Sequence, residues 1–171
     1  SEWRTGRLSS GVVTAASPSH QPTGPAGSRL DFEALIADLS SRFVNLPPAE
    51  VDPEIEGALR RVCELLGVDN SVLWQWSVAA PGLLTPTHFY WIQEGPAPPG
   101  PMGQEHFPWV VGETRAGRRV AVSSLEELPA EAARDRQVAR EMGVRSNLTI
   151  PLSVGGQPAV GALGLSTLRT Q

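Results

Sequence analysis

Two stretches in the first half of the chain repeat apolar residues every three or four positions. In residues 31–44 the apolar positions are Phe32, Leu35, Ile36, Leu39 and Phe43. In residues 52–66 they are Ile55, Leu59, Val62, Cys63 and Leu66. Because this spacing is typical of an amphipathic helix, we predict two helices here. Asp52 before Pro53 predicts where the second helix begins, and Gly67 predicts where it ends.

After these helices the pattern changes to a period of two, which is typical of β-strands. The apolar positions of the first strand are Val72, Trp74, Trp76 and Val78. Residues 84–92, rich in threonine and aromatic side chains, predict a second strand. The next predicted elements are a proline-rich loop over 93–103, a helix over about 105–115, a strand over 119–123 and a helix over 129–142.

The last segment predicts a β-hairpin. Its first strand alternates apolar with polar or small residues through Leu148, Ile150, Leu152 and Val154. Gly155-Gly156 suits a two-residue turn, and residues 160–167 run back. Neighbouring strands joined by short turns favour an antiparallel sheet, and the helices between them give an α+β fold.

Residues 1–30 differ from the rest of the chain. Serine, proline, glycine and threonine dominate them, so they offer little apolar surface to bury. We predict a flexible linker or N-terminal arm here, followed by one domain over residues 31–171. Because the chain begins inside a linker, we expect it to be a piece of a longer protein.

Composition excludes several kinds of chemistry. All 14 basic residues are arginine, and without lysine there is no phosphate-binding P-loop and no Schiff base. The single cysteine cannot form an internal disulfide or a thiolate zinc site. A net charge of −4 argues against nucleic acid as a partner. No apolar run is long enough to cross a membrane, so we expect a cytoplasmic fragment without membrane contact.

The closing hairpin carries a family resemblance. Residues 145–154, with an internal Ile-Pro-Leu, then Gly155-Gly156 and the Gly-Ala-Leu-Gly-Leu-Ser run over 161–166, resemble the closing strands of GAF domains. Gly67-Val68-Asp69 before the first strand resembles that family's entry into the sheet. The resemblance covers residues 31–168. It implies a GAF/PAS-like α+β fold, with an antiparallel sheet of five or six strands flanked by helices.

This resemblance also implies an arrangement of layers. The first two helices would pack on one face of the sheet. Residues 93–117 and 125–142 would cover the other face and enclose a small-molecule pocket. The family usually continues into a long signalling helix, so residues 31–171 would be a GAF-like sensory domain without its C-terminal helix.

GAF domains are sensory modules, and residues 39–47 with Leu73-Trp74-Gln75 resemble those of bacterial sensor histidine kinases and enhancer-binding transcription activators. The main hypothesis is a non-enzymatic sensory domain of a histidine kinase. It would bind a small-molecule effector or mediate homodimerisation, and would act on an output domain of the same chain. The alternatives are a structural dimerisation module without a ligand, a transcription-activator domain, and an enzyme of the same fold.

Departures from the family pattern reduce the number of ligand classes that this chain can be expected to bind. A chain without lysine cannot contain the Asn-Lys-Phe-Asp-Glu set of the cyclic-nucleotide-binding members. One cysteine is too few for the free methionine sulfoxide reductases. Cys63 falls on the apolar stripe of the second helix, away from the expected pocket, which disfavours bilin attachment and favours a core position. No cofactor is identifiable, and neither haem nor bilin is expected.

Six residues are candidates for ligand contact: Tyr90, His106, Phe107, Trp109, Arg134 and Thr149. Phe107 and Trp109 lie in the covering segment, where aromatic walls are common, although core packing is the alternative. Arg134 would grip a carboxylate or phosphate, although ion pairs within its own helix are the alternative. No histidine spacing indicates a metal site, and no Gly-x-Ser-x-Gly motif indicates a catalytic one.

Overall fold

The computed structural model describes residues 29–35, 37–38, 46–92 and 100–168. The predicted arm lies outside these residues, except that residues 29–30 begin a helix. The predicted proline-rich loop lies outside them over residues 93–99.

Two helices lie on one side of the molecule. The first, α1, comprises the helical residues 29–35 and 37–38. The second, α2, spans Pro48–Leu66 and ends at Gly67, whose φ is 63°. The predicted start of α2 is wrong, because Pro47 occupies the N-cap position and Pro53 lies inside the helix. Asp52 instead lies 3.1 Å from Nε2 of His88, a contact that ties α2 to the sheet.

Six strands form one antiparallel sheet within the described residues. They are β1 (Asn70–Trp76), β2 (Leu83–Trp91), β3 (Met102–Gly103), β4 (Val120–Val122), β5 (Val144–Leu152) and β6 (Gly161–Leu168). Their order is β3-β2-β1-β6-β5-β4, and every neighbouring pair is antiparallel. The predicted α+β fold with an antiparallel sheet is therefore confirmed.

Short helical elements lie on the opposite side of the sheet. They are α3 (Pro108–Arg115), two 3-10 turns (Leu125–Glu127 and Ala130–Ala132) and α4 (Ala133–Glu141). The predicted helix over 129–142 is thus divided, because its first residues form a 3-10 turn. Phe107, Trp109, Val122 and Val144 pack against the buried cluster formed by Leu125, Leu128, Ala132 and Ala139.

The residues of strand β6 are divided between the two faces of the sheet. Leu165 packs with Leu35 of α1 and Val62 of α2, and Leu163 packs against the same cluster. Cys63 of α2 is completely buried in this layer, as the helical stripe predicts. Successive residues of a strand point to opposite faces. Ala162, Gly164 and Ser166 therefore face the side of α3 and α4.

A bulge in β2 reverses its alternation. Trp74 pairs with Pro86, whereas the adjacent Leu73 pairs with His88, so Thr87 is left unpaired. The hydroxyl of Thr87 donates a hydrogen bond to the Leu73 carbonyl at 3.2 Å. Because one extra residue changes which face each later side chain occupies, Tyr90 lies on the face opposite to Leu84.

The loop that connects β5 and β6 is longer than the predicted two-residue turn. Gly155 and Gly156 have φ values of 58° and 74°, and the Gln157 N–H donates to the Val154 carbonyl at 3.0 Å, so they do form a tight turn. The strands, however, pair only as far as Leu152 and Gly161. Residues 153–160 therefore form a loop around that turn.

Candidate functional site

A cavity of about 610 Å³ lies between the sheet and the layer of α3, the 3-10 turns and α4. This volume is within the range of small-molecule sites. The cavity face of the sheet contributes Asn70, Val72, Trp74, Trp76, Leu84, Trp91, Val120, Val122, Asn147, Thr149, Ala162, Gly164 and Ser166. The opposite wall includes Phe107, Val110, Val111, Thr114, Leu125, Leu128, Asp135 and Ala139. A cavity is therefore present between the layers where the GAF resemblance implies a pocket.

Small side chains on β6 make room for the cavity. Its cavity face carries Ala162, Gly164 and Ser166 before Leu168 at the end of the strand, although β6 is a central strand. A Cβ atom on Gly164 would lie 3.4 Å from Nε1 of Trp74, so the indole ring occupies the space beside this glycine. The indole ring of Trp74 therefore borders the space that these small side chains leave at the centre of the cavity floor.

A row of polar side chains crosses one end of the floor. Asn70, Ser166 and Asn147 are neighbours in register on β1, β6 and β5, and Trp91 on β2 is the partner of Asn70. The Asn147 amide donates to Oγ of Ser166 at 3.0 Å and to the Leu165 carbonyl at 3.2 Å. The Thr149 hydroxyl donates to Oδ1 of Asn147 at 2.7 Å. This polar row is uncharged and is ordered by its own hydrogen bonds.

A buried carboxylate holds the beginning of α3. Asp135 of α4 is only 1% exposed. Its two oxygens accept hydrogen bonds from the backbone N–H groups of Trp109 at 3.2 Å and Val110 at 2.9 Å. These N–H groups have no partner within the helix, because they belong to its first turn. The carboxylate therefore caps α3 from another helix and fixes the wall of the cavity.

An arginine holds the other end of α3. The guanidinium of Arg115 lies 4.3 Å from the ring centre of Trp76, and it also donates to the Pro81 carbonyl. Arg118, just beyond the helix, forms two hydrogen bonds of 2.7 Å with Glu113. These bonds lower the pKa of Glu113 and raise the pKa of Arg118. Both ends of the covering helix are therefore attached to other elements.

Two indole N–H groups beside the cavity lack an acceptor. Nε1 of Trp76 and Nε1 of Trp91 are buried and have no hydrogen-bond partner in the described part of the structure. A buried donor without an acceptor costs about 1–3 kcal/mol. Both residues line the cavity, at opposite ends of its floor.

Comparison with known proteins identifies the family. The sequence model of the GAF domain matches residues 51–171. The chain belongs to the GAF domain family. None of the curated proteins matches its sequence.

Solved structures share this GAF fold at low identity. A phycoerythrobilin-bound GAF domain from a cyanobacterial phytochrome has a TM-score of 0.64 and 15% identity, over 84% of this chain and 86% of that one. The free methionine-R-sulfoxide reductase of Neisseria meningitidis, in complex with its substrate, has a TM-score of 0.60 and 15% identity, over 85% and 77%. The GAF domain of a phosphoenolpyruvate-protein phosphotransferase from Coxiella burnetii has a TM-score of 0.59 and 13% identity, over 85% and 80%.

Two of the six candidate residues line the cavity of this GAF domain, namely Phe107 and Thr149. Tyr90 does not, because it pairs with Ser71 on the other face of the sheet. The Ser71 hydroxyl donates to the Leu59 carbonyl of α2, which identifies that face as the α2 side.

The remaining three candidates lie outside the lining of the cavity. Trp109 packs against the cluster around Leu125, which is the core role that the sequence left open. Nδ1 of His106 lies 3.3 Å from the Gly103 carbonyl. Arg134 is exposed, and its Nε donates to the Glu105 carbonyl at 3.4 Å.

The two arginines that follow Arg134 in α4 contact segments outside the helix. Arg136 donates to the carbonyls of Leu125, Leu128 and Pro129. Arg140 lies 2.5 Å from Oε1 of Glu126 in the first 3-10 turn. These arginines therefore attach α4 to the turns that precede it.

Sequence reasoning missed Asn70, Asn147, Ser166 and Asp135 as cavity residues. A signal exists for Asn147 and Ser166, because they are polar residues on strands whose other face is apolar. It does not exist for Asn70, which shares its face of β1 with Val72, Trp74 and Trp76. Asp135 carries no such signal, since its role depends on the packing of α4 against α3.

Metal-binding clusters and membrane-crossing helices are both missing from the described residues. No three histidine, cysteine, aspartate or glutamate side chains converge there in a way that could hold a metal ion. No helix in this part of the GAF domain is both long and apolar enough to cross a membrane.

Proposed function

We propose that this GAF domain is a sensory domain of a bacterial signalling protein, specifically a sensor histidine kinase, and that it binds a small-molecule effector in the cavity. The observation that carries the proposal is the apolar cavity of about 610 Å³ between the sheet and α3 and α4. Two of the similar structures are described as bound to a bilin and to a substrate. The fold can therefore accommodate small molecules.

The proposed role is regulatory, and we propose no catalytic activity and neither haem nor bilin for this domain. Two features support this. The thiol of Cys63 is buried between α2 and the sheet, and burial raises its pKa, which keeps it protonated. The carboxylate of Asp135 is engaged by the two amides of α3. The most reactive groups near the sheet are thus used in packing and capping.

The proposed output passes through the α1–α2 layer. We propose that the domain works as a cytoplasmic homodimer through this layer and that it acts on an output domain of the same chain. Leu65 and Leu66 at the end of α2 support this, because they are 37% and 42% exposed. Occupation of the cavity would bias the packing of this layer, as a regulatory ligand must do.

A thermal-shift screen with a panel of bacterial metabolites tests the proposal. A compound that binds the folded domain must raise its melting temperature by mass action. The shift should disappear in Gly164→Leu, which fills the floor of the cavity, and persist in Gly112→Leu, because an added Cβ there meets open space. Circular dichroism must show that both variants are folded.

The contrary outcome is also defined. If no compound stabilises the domain, or if the shift in melting temperature survives in folded Gly164→Leu, the proposal that an effector binds in the cavity is wrong. A structural dimerisation module then becomes the better description, and analytical ultracentrifugation of the same sample would show the dimer that it requires.

A further inference from the structure

The charge of the cavity wall disfavours an anionic ligand. Its charged side chains, among the described lining residues, are Asp135, Arg140 and Glu141. The single cation in this set, Arg140, already lies 2.5 Å from Oε1 of Glu126. An anion that enters the cavity would therefore lie near the buried carboxylate of Asp135 without a cation of its own. Burial of an unpaired charge is strongly unfavourable.

A cationic ligand meets occupied partners as well. The carboxylate of Asp135 accepts the N–H groups of Trp109 and Val110. Glu141 is exposed and accepts a hydrogen bond from Gln137 at 2.9 Å. The guanidinium of Arg115 already lies over the ring of Trp76. The groups that attract a cation are thus engaged or open to water.

The floor of the cavity is polar at one end and aromatic at the other. The polar end is the uncharged row of Asn70, Ser166 and Asn147. The aromatic end carries Trp76, and Trp74 lies between Trp76 and the centre of the floor. Asn70 and Trp76 are the first and last residues of β1, so the two ends are about 20 Å apart at about 3.4 Å per residue.

We propose that the cavity selects an uncharged ligand with a flat aromatic body and an amide-like end, which deepens the proposed function and rests on it. The body lies over Gly164 beside Trp74. The amide-like end faces Ser166 and Asn147. The Ser166 hydroxyl accepts from Asn147 and can still donate, and Oδ1 of Asn147, which accepts from Thr149, keeps a second lone pair.

Four probes with one ring system test this head-group preference: 2-naphthamide, 2-naphthoate, 2-(aminomethyl)naphthalene and 2-methylnaphthalene. Affinity is measured by titration of the full 171-residue chain, followed by the indole N–H signals of its five tryptophans in NMR spectra. We expect 2-naphthamide to bind at least about tenfold more tightly than either charged probe, because each charge must be buried without a partner. Because Nε1 of Trp74 lies beside Gly164, the Trp74 signal should shift with each probe that binds.

Two serine variants, one on each of the paired strands β6 and β5, sharpen the test. Ser166→Ala removes a member of the polar row and should weaken 2-naphthamide by about fivefold, the size of one hydrogen bond. It should leave 2-methylnaphthalene unchanged. Ser146→Ala is the control, because Ser146 contacts Thr167 at 2.5 Å outside the cavity lining, and it should change neither affinity.

The outcomes separate this inference from the proposed function. Equal or tighter binding of the carboxylate, the amine or the methyl compound overturns the inference and leaves the cavity as a ligand site. Equal effects of Ser166→Ala and Ser146→Ala also overturn it. If none of the four probes binds, the inference is contradicted, whereas the proposed function is decided by the thermal-shift screen with Gly164→Leu.

Discussion

Oδ1 of Asp135 lies 2.9 Å from the backbone nitrogen of Val110. An aspartate within α4 therefore performs the capping role that a residue directly before α3 usually performs. Phe107 stands at the N-cap of α3 and makes no side-chain cap. The position of the covering helix consequently depends on a contact between two helices.

Loss of this cap should destabilise the domain. Asp135→Ala leaves the N–H groups of Trp109 and Val110 buried without an acceptor, so we expect a loss of about 2–4 kcal/mol in the free energy of unfolding. Asp135→Asn keeps one acceptor and should cost less. Glu131→Ala, at an exposed position of the preceding turn, should change stability by less than about 0.5 kcal/mol. Urea unfolding measures all three, and equal effects at both positions would contradict the capping role.

The close approach of β6 and β1 should make Gly161 irreplaceable. A Cβ atom at this position would lie 2.1 Å from the carbonyl oxygen of Trp74, which is backbone and cannot rotate away. Gly161→Ala should therefore lower stability by about 1–3 kcal/mol. Gly112→Ala in α3 should be neutral or slightly stabilising, since alanine favours helices. Thermal unfolding distinguishes them, and a stable Gly161→Ala variant would refute the close contact.

The contact between Arg115 and Trp76 should steady the end of α3. Arg115→Met keeps an apolar side chain but removes both the cation over the ring and the hydrogen bond to the Pro81 carbonyl, at a cost of about 1–2 kcal/mol. Amide hydrogen exchange near the end of α3 should become faster, and the indole N–H signal of Trp76 should move. Arg119→Met, at another exposed arginine, provides the control. Unchanged exchange in Arg115→Met would show that α3 is held by other contacts.

Burial of Cys63 predicts a specific response to alkaline pH. Burial raises the pKa of this thiol above its usual 9.0, and a hydrogen bond with Ser71 opposes the rise only in part. A thiol whose folded-state pKa is raised is harder to ionise in the folded protein than in the unfolded chain. Its contribution to stability is unchanged below the unfolded pKa and falls as the pH rises above that value, because the unfolded chain then ionises more readily. We therefore expect stability to fall above about pH 9, and less steeply in Cys63→Ala.

The reactivity of the same thiol provides a second measurement. Ellman's reagent should label native Cys63 slowly at pH 8 and rapidly in denaturant, because only the ionised, accessible thiol reacts. Fast labelling of the native protein would place Cys63 at the surface, in conflict with its complete burial.

The fold could be predicted where local patterns and tertiary packing agree. The alternation in β1, the apolar stripe of α2 and the glycine turn at Gly155-Gly156 each predict the element that forms there. The predicted beginning of α2 is wrong because Asp52 and Pro53 form a good local start signal. Packing of α2 on the sheet outweighs the one backbone hydrogen bond that Pro53 cannot make.

The cavity was predictable in place but not in detail. Of the residues predicted to contact a ligand, Phe107 and Thr149 line the cavity, whereas Tyr90 lies on the other face of the sheet because Thr87 is unpaired. A bulge of this kind depends on how two strands pair, so alternation within one strand cannot show it. The same holds for Asp135, which caps a helix 25 residues away in sequence.

The strict alternation of β6 has an evolutionary consequence. Gly164 belongs to the cavity, and its neighbour Leu165 belongs to the core with α1 and α2. Insertion or deletion of one residue within β6 would exchange the two sets, so that leucines would fill the cavity and glycine would lie under the helices. The adjacent loop over 153–160 carries no such constraint, since its residues are mostly exposed. We therefore expect changes of chain length in related sequences to accumulate in this loop and to be excluded from β6.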